Sequence, residues 1–324
     1  MKKVPLFIFM LAFFFGLMPV ITISAQEKQS DDYKLRMELY KKTAAPSLIP
    51  WYFLAAVDQF ERQIHKEIPE GRVTAVRPEQ YFWNGLGNPN QSDQQTPGIA
   101  AMFNGWASDG NGDGIADRNN DEDVLATIAA YIASYGHTKS DFKIALWNYY
   151  HRDLTVQTII NNAKVFKHFG TIELKDRDFP VPLGANYSYR STWGDARGFG
   201  GRRIHEGTDI FANYGVPVKS TTYGVVEIKG WNKFGGWRIG IRDIFNIYHY
   251  YAHLNGFEDG VKVGDVVKPG DVIGSVGASG YGPPGTSGKF PPHLHYGMYK
   301  DNGYSEWSFD PHPYLRKWER MARN

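Results

Sequence analysis

The residue pattern changes character once along the chain, near Gly170, and that change limits the folds open to it. From Asp31 to about Lys167 apolar residues recur at helical spacing. Trp51 to Glu61 runs on to Lys66 behind Pro50, and Asp121 to Tyr135 carries Val124, Leu125, Ile128 and Ile132 on one face. From Phe179 onward Gly and Pro multiply and apolar runs shorten into alternating segments such as Val225–Ile228, Trp237–Ile241 and Phe245–Leu254. Alternation of that kind suits antiparallel strands. The pattern predicts an α+β chain of two domains, helical over 31–170 and antiparallel β over 180–324, with the boundary inside Lys167–Pro182. At 324 residues, each half is long enough to bury a core of its own.

Lys2 and Lys3 precede an apolar run from Leu6 to Met18, followed by Pro19 and a small-residue exit at Ile23, Ser24 and Ala25. This is the layout of a secretory signal over residues 1–25, with a retained anchor over Val4–Ile23 as the alternative. Either reading places the chain in the extracytoplasmic envelope. Setting aside residues 1–25, which hold two Lys and no acid, leaves 34 basic against 34 acidic residues. A formally neutral chain gives no electrostatic reason to expect nucleic acid. The absence of cysteine excludes disulfides, thiol catalysis, iron-sulfur clusters and Cys-ligated zinc. Any bound metal must take its ligands from the 10 histidines and the carboxylates, which points to a hydrolytic rather than a structural site.

Six of the histidines fall between 205 and 312, in the β half. His205 and Asp209 lie four apart, on one face if both sit in a strand, and a bend at Gly207 would bring their tips together. His293 and His295 alternate, so a strand aims both to one side, and the same rule groups His249, Tyr251 and His253. Neighbouring strands can thus gather His205, Asp209, His253, His293 and His295. A hydrolytic zinc takes three such ligands and keeps one position for water, which leaves two imidazoles for proton transfer and oxyanion stabilisation. Spacing does not assign which histidine does which.

Taken in order, His205-Glu-Gly-Thr-Asp209, Tyr251-Ala-His253-Leu254 and His293-Leu-His295-Tyr296, with Val263 to Gly274 between, resemble the LytM and lysostaphin family of zinc endopeptidases over residues 180–312. The resemblance implies a LytM-type peptidase domain that cuts peptides in bacterial peptidoglycan. It also implies Zn2+ on His205, Asp209 and His295, with His253 and His293 as the catalytic pair. His249 and His312 have no counterpart in that pattern and read as structural. The glycine-rich stretches Gly277–Gly280 and Gly282–Gly288 read as a wall of the site, and Trp193 to Gly201 as a turn that delivers His205. Arg197, Arg202 and Arg203 are candidates to meet a substrate carboxylate.

In the helical half, Asp109, Asn111, Asp113 and Asp117, with Gly114, match the front of a Ca2+ loop, but its twelfth position is Asn120 instead of Glu. A solvated Asn/Asp/Gly turn is the competing reading. Residues 46–165 resemble lytic transglycosylases of the lysozyme-like superfamily through Gly98–Trp106, Asp123–Gly136 and Ala145–Tyr149. Those enzymes use a protonatable Glu. Here Val57-Asp58-Gln59-Phe60-Glu61 offers Asp58 at that place and Glu61 one turn on, so a glycan-binding module is preferred to an active one. Over the full length, this combination resembles sporulation endopeptidases of bacilli that cut L-Ala–D-Glu bonds in spore cortex. The alternatives are a non-catalytic adaptor that binds peptidoglycan and a bifunctional wall hydrolase.

Overall fold

The computed structural model describes residues 18–323 except 66, 69 and 199–201, with side chains from residue 32 onward. Residues 1–17 of the proposed export segment lie outside the described residues. No described helix is long and apolar enough to cross a membrane.

The first half contains α1 (Met18–Ser47), α2 (Trp51–Ile64), α3 (Gln80–Asn84), α4 (Pro97–Met102), α5 (Asp121–Ala133), α6 (Lys139–Tyr150) and α7 (Asp153–Phe169). A small ribbon pairs β1 (Gln94–Gln95) with β2 (Ala116–Asp117). Local chemistry sets the helix ends. Asn120 accepts the N–H groups of Glu122 and Asp123 at the start of α5, whose first turn is acidic and so faces the positive end of the helix dipole. Thr138 and Asp141 form a capping box on α6, and Gly170, at φ +68°, closes α7. Leu54, Phe60, Trp83, Leu125, Ile159 and Phe166 make the interior of this half.

The second half contains β3 (Tyr187–Tyr189), β4 (Ala196–Arg197), β5 (Arg203–Ile204), β6 (Thr208–Ala212), β7 (Pro217–Lys219), β8 (Gly224–Asn232), β9 (Gly236–Asp243) and β10 (Ile247–Phe257). It continues with β11 (Val266–Val267), β12 (Val272–Val276), β13 (His293–Asp301), β14 (Glu306–Phe309) and α8 (His312–Arg323). Strands β11, β8, β9, β10, β13, β6 and β3 are neighbours in that order, β12 joins β10 to β7, β14 lies on β13, and β4 and β5 form a separate hairpin. Every pairing is antiparallel, as the alternating pattern predicts. Alternation divides β6 and β13 cleanly. Ile210, Leu294, Tyr296 and Met298 join the core that Leu315 and Trp318 of α8 complete, whereas Asp209, His293 and His295 line a cleft on the other face.

The halves are not independent bodies, because Val225 and Ile244 of the β half belong to the helical core. Polar contacts cross the same seam. Arg152 forms a bidentate pair with buried Asp301 at 2.9 and 2.7 Å, Gln59 donates to the Ile244 carbonyl at 2.9 Å, and Asn161 donates to Glu227 at 2.9 Å.

Asp58 ties the helices together. Its carboxylate is fully buried, pairs with Arg36 at 3.0 Å and Arg62 at 3.3 Å, and accepts from the Tyr40 hydroxyl and the Ala75 N–H. Burial alone would raise its pKa, but the two arginine charges and these hydrogen bonds together hold it below the ordinary carboxylate value. A depressed carboxylate contributes stability that is fully present above the unfolded pKa, near 3.9, and disappears as pH falls through the folded value. Asp58→Asn should therefore cost about 3–5 kcal/mol at pH 7 in urea unfolding, because it leaves Arg36 buried without its counter-charge. The same variant should lose less stability than the parent between pH 6 and pH 3; equal acid sensitivity would contradict this role.

Candidate active site

Strand register builds the site. On β13 and β6, His295 lies directly opposite Asp209 and His293 directly opposite Phe211, and opposed residues of an antiparallel pair share a face. His205 is not on a strand with Asp209, since β6 begins only at Thr208. The chain bends through Gly207 instead, and there a side chain has no room: a Cβ on Gly207 would lie 2.6 Å from His295 Cε1 and 2.7 Å from the Tyr296 carbonyl oxygen. This bend carries His205 Nε2 to 3.0 Å from Asp209 Oδ1 and 2.8 Å from His295 Nδ1, and His295 Nδ1 to 3.0 Å from Asp209 Oδ1.

Protonation follows from the hydrogen bonds. A carbonyl only accepts, so His205 Nδ1–H donates to the Thr192 carbonyl at 2.8 Å and leaves Nε2 as a lone-pair donor. Burial lowers the His295 pKa, although Asp209 opposes the shift. For Asp209 itself burial works towards protonation, but the His205 and His295 rings beside its carboxylate, with His293, hold it far below the ordinary range. Three electron-pair donors thus face one another, and among the described residues they are the group of three that can hold a metal ion. Two imidazoles and a carboxylate are the donor set of hydrolytic zinc, and tetrahedral bonds of about 2.0 Å would set the donors roughly 3.3 Å apart. The residues fit that ion. Arg197 Nη2 holds the other carboxylate oxygen, Asp209 Oδ2, at 2.7 Å, so it orients a candidate ligand instead of standing ready for substrate.

His253 departs from the alternation expected along β10. His249 and Tyr251 do point together into the core, where His249 meets the Tyr296 hydroxyl at 2.6 Å and Asp243 at 3.1 Å. At His253 the register slips between Tyr251 and Leu254, and the backbone takes φ +62°. That bulge rotates the imidazole to the cleft face. The left-handed conformation costs about 1 kcal/mol or more in a residue with a Cβ. Two bonds hold it, from His253 N to the Gly235 carbonyl at 2.7 Å and from Nδ1–H to the Ser279 carbonyl at 2.8 Å. His293 Nδ1–H donates likewise to the Pro291 carbonyl at 2.8 Å. Both imidazoles therefore present a bare Nε2, and that of His293 lies 3.7 Å from Asp209 Oδ1. Burial lowers both pKa values, and the charges of His293 and His295 push His253 further down.

The five side chains line one cleft of about 840 Å³. Ser279 supports His253 from the glycine-rich segment, and Tyr281 and Phe290 pack on its ring at 5.9 and 4.6 Å. Arg203 and Lys289 are also on the wall, whereas Arg202 is not among the lining residues. No motif or spacing singles out Lys289. His312, at the start of α8, packs against Tyr189 of β3, away from the cleft.

In the 109–117 loop each candidate side chain accepts at least one N–H of the nearby backbone. Asp109 accepts from Gly112 and Gly114 at 2.6 and 2.7 Å, Asn111 from Asp113, Asp113 from Ile115 and Asp117 from Asn119, each at 2.8 Å. Buried Asp123, not position 120, closes the loop by accepting from Gly110, Asn111 and Asp117. Asp58, with its depressed pKa and two arginine partners, is the reverse of a general acid. Glu61 is bonded to the Tyr150 hydroxyl and to His65 Nε2.

The model of Peptidase family M23 matches residues 203–308. The L-Ala–D-Glu endopeptidase of Bacillus subtilis (strain 168) is 60% identical over 304 residues, which cover 92% of this chain and 93% of that one. Lysostaphin of Staphylococcus staphylolyticus is 34% identical over 139 residues, 42% of this chain and 24% of that one. The solved catalytic domain of lysostaphin from Staphylococcus simulans has 34% identity, covers 40% of this chain and 93% of that one, and aligns with a TM-score of 0.33.

The crowding at Gly207 yields a test that does not depend on turnover. Gly207→Ala must displace the His295 ring, so zinc affinity measured against a competing chelator should fall by about 10- to 100-fold. Unchanged affinity would mean that His295 does not need its present position.

Proposed function

The chain belongs to peptidase family M23 and is a peptidoglycan endopeptidase of that family, and from that premise we propose that it is a zinc enzyme that hydrolyses the L-Ala–D-Glu bond of stem peptides in spore cortex. One observation carries the chemistry: His205 Nε2, Asp209 Oδ1 and His295 Nδ1 converge within 3.0 Å in a cleft that two neutral histidines also face. The bond is supported by the name of the 60%-identical relative. The cortex is supported by the full-length resemblance to sporulation endopeptidases, and export by Lys2, Lys3 and the apolar run that follows.

Zinc bound to His205, Asp209 and His295 would supply Lewis acidity towards the scissile carbonyl and an acidified water. The remaining work falls to the chain. Arg197 and Thr192 fix the orientation of Asp209 and His205. A bare Nε2 of the His253 and His293 pair accepts the proton of the attacking water, and the imidazolium so formed hydrogen-bonds the developing oxyanion before it returns that proton to the leaving nitrogen. Burial keeps both imidazoles neutral near pH 7, which a base requires.

A non-catalytic adaptor is disfavoured because all five groups are present, and glycan cleavage is disfavoured by the ion pairs of Asp58. The helical half serves in this reading as a glycan-binding module, for which exposed Tyr81, Tyr135 and Trp147 offer ring faces. Calcium is not required by the 109–117 loop, whose oxygens already accept backbone N–H groups.

Mass spectrometry of cortex fragments after incubation with the zinc-loaded protein should show new N-terminal D-Glu and muropeptides ending at L-Ala. Anhydro-sugars would instead indicate glycan cleavage, and unchanged fragments an adaptor. Two substitutions separate the roles. His295→Ala should lose both zinc and turnover, while His293→Ala should retain zinc and lose at least a hundredfold in kcat. Zinc retained by the first variant, or turnover by the second, would overturn the assignment.

A further inference from the structure

We propose that Arg203 and Lys289 bind a carboxylate on the substrate residue that carries the leaving nitrogen, and so make the enzyme selective for an acidic residue after the scissile bond. The proposal rests on the stem-peptide reading above. Of the three arginines that precede or follow the turn to His205, Arg197 is engaged by Asp209 and Arg202 is off the cleft, which leaves Arg203 on the wall.

Arg203 lies over two aromatic rings. Its guanidinium carbon lies 4.9 Å from the Phe234 ring centroid and 5.9 Å from that of Tyr281, and Nη2 meets the Tyr281 hydroxyl at 3.3 Å. The Tyr281 ring stacks in turn on His253, with centroids 5.9 Å apart and planes inclined by 18°. Lys289 reaches the same residue, donating from Nζ to the Tyr281 carbonyl at 2.7 Å. Its neighbour Phe290 packs 4.6 Å from His253 and 5.0 Å from His293. Both cations therefore stand one aromatic layer from the histidines that handle the leaving nitrogen. A guanidinium backed by ring faces is pre-oriented, and its planar fork matches a carboxylate.

The chemistry of the bond selects this ligand. Hydrolysis between Ala and Glu frees the nitrogen on the glutamate Cα. Only one glutamate carboxyl can continue the chain, so the other remains as an anion within a few bonds of that nitrogen. A carboxamide in its place keeps the shape and removes the charge.

Steady-state kinetics with two synthetic stem peptides, one with D-Glu and one with the free carboxyl converted to the amide, test the proposal on the zinc-loaded full chain. The parent should favour the acid over the amide by about tenfold or more in kcat/KM. Arg203→Met should bring that ratio close to one by raising KM for the acid alone, Lys289→Met should lower it in part, and Arg203→Lys should restore part of it. The ratio does not depend on how much of a variant folds. A parent that cuts this bond without preference, or a preference unchanged in Arg203→Met, would overturn the proposal while leaving the endopeptidase reading intact. Cleavage at a different bond would remove the bond assignment and, with it, the carboxylate assigned to Arg203.

Discussion

Everything at the cleft depends on the pairing of β6 with β13. By setting His295 opposite Asp209, that register places an imidazole and a carboxylate side by side on the face away from the core. The reverse faces of the same strands, through Ile210, Leu294 and Tyr296, are fully buried. A slip of one residue would bury Asp209 and both histidines and expose the apolar set, so core packing and site geometry are enforced together. Gly207 then admits His205 as the third donor, because its missing side chain is where the His295 ring lies.

The proton transfer proposed for His253 and His293 requires the opposite electrostatic setting a few ångströms away. The Asp209 carboxylate lies well below its ordinary pKa and is paired with Arg197, while burial lowers the pKa of His253 and of His293. Carbonyl partners at Ser279 and Pro291 fix which nitrogen is bare.

Much of this was legible in the residues. Alternation found the strands and placed His293 and His295 on one side correctly, because β13 is regular and its two faces differ sharply in polarity. It failed at His253, where the imidazole leaves the face of His249 and Tyr251. A bulge is set by tertiary bonds to Gly235 and Ser279, and a left-handed non-glycine residue leaves no local pattern to read. Arg197 was likewise visible as a cation near the first ligand, but spacing does not show that its partner is Asp209. In the helical half, Asp58 reads as a candidate acid by its place in the chain and is a buried ion-pair centre by its neighbours. That distinction needs Arg36 and Tyr40, which come from another helix.

The proposed hydrolysis requires an ion with three protein donors and one open position. Anomalous diffraction at the zinc edge from crystals of the zinc-loaded protein addresses this directly. It should give one peak within about 2.0–2.2 Å of His205 Nε2, Asp209 Oδ1 and His295 Nδ1, with the fourth place taken by solvent. A peak elsewhere, or one in which His293 Nε2 closes the shell as a fourth protein ligand, would contradict a hydrolytic centre and the mechanism built on it.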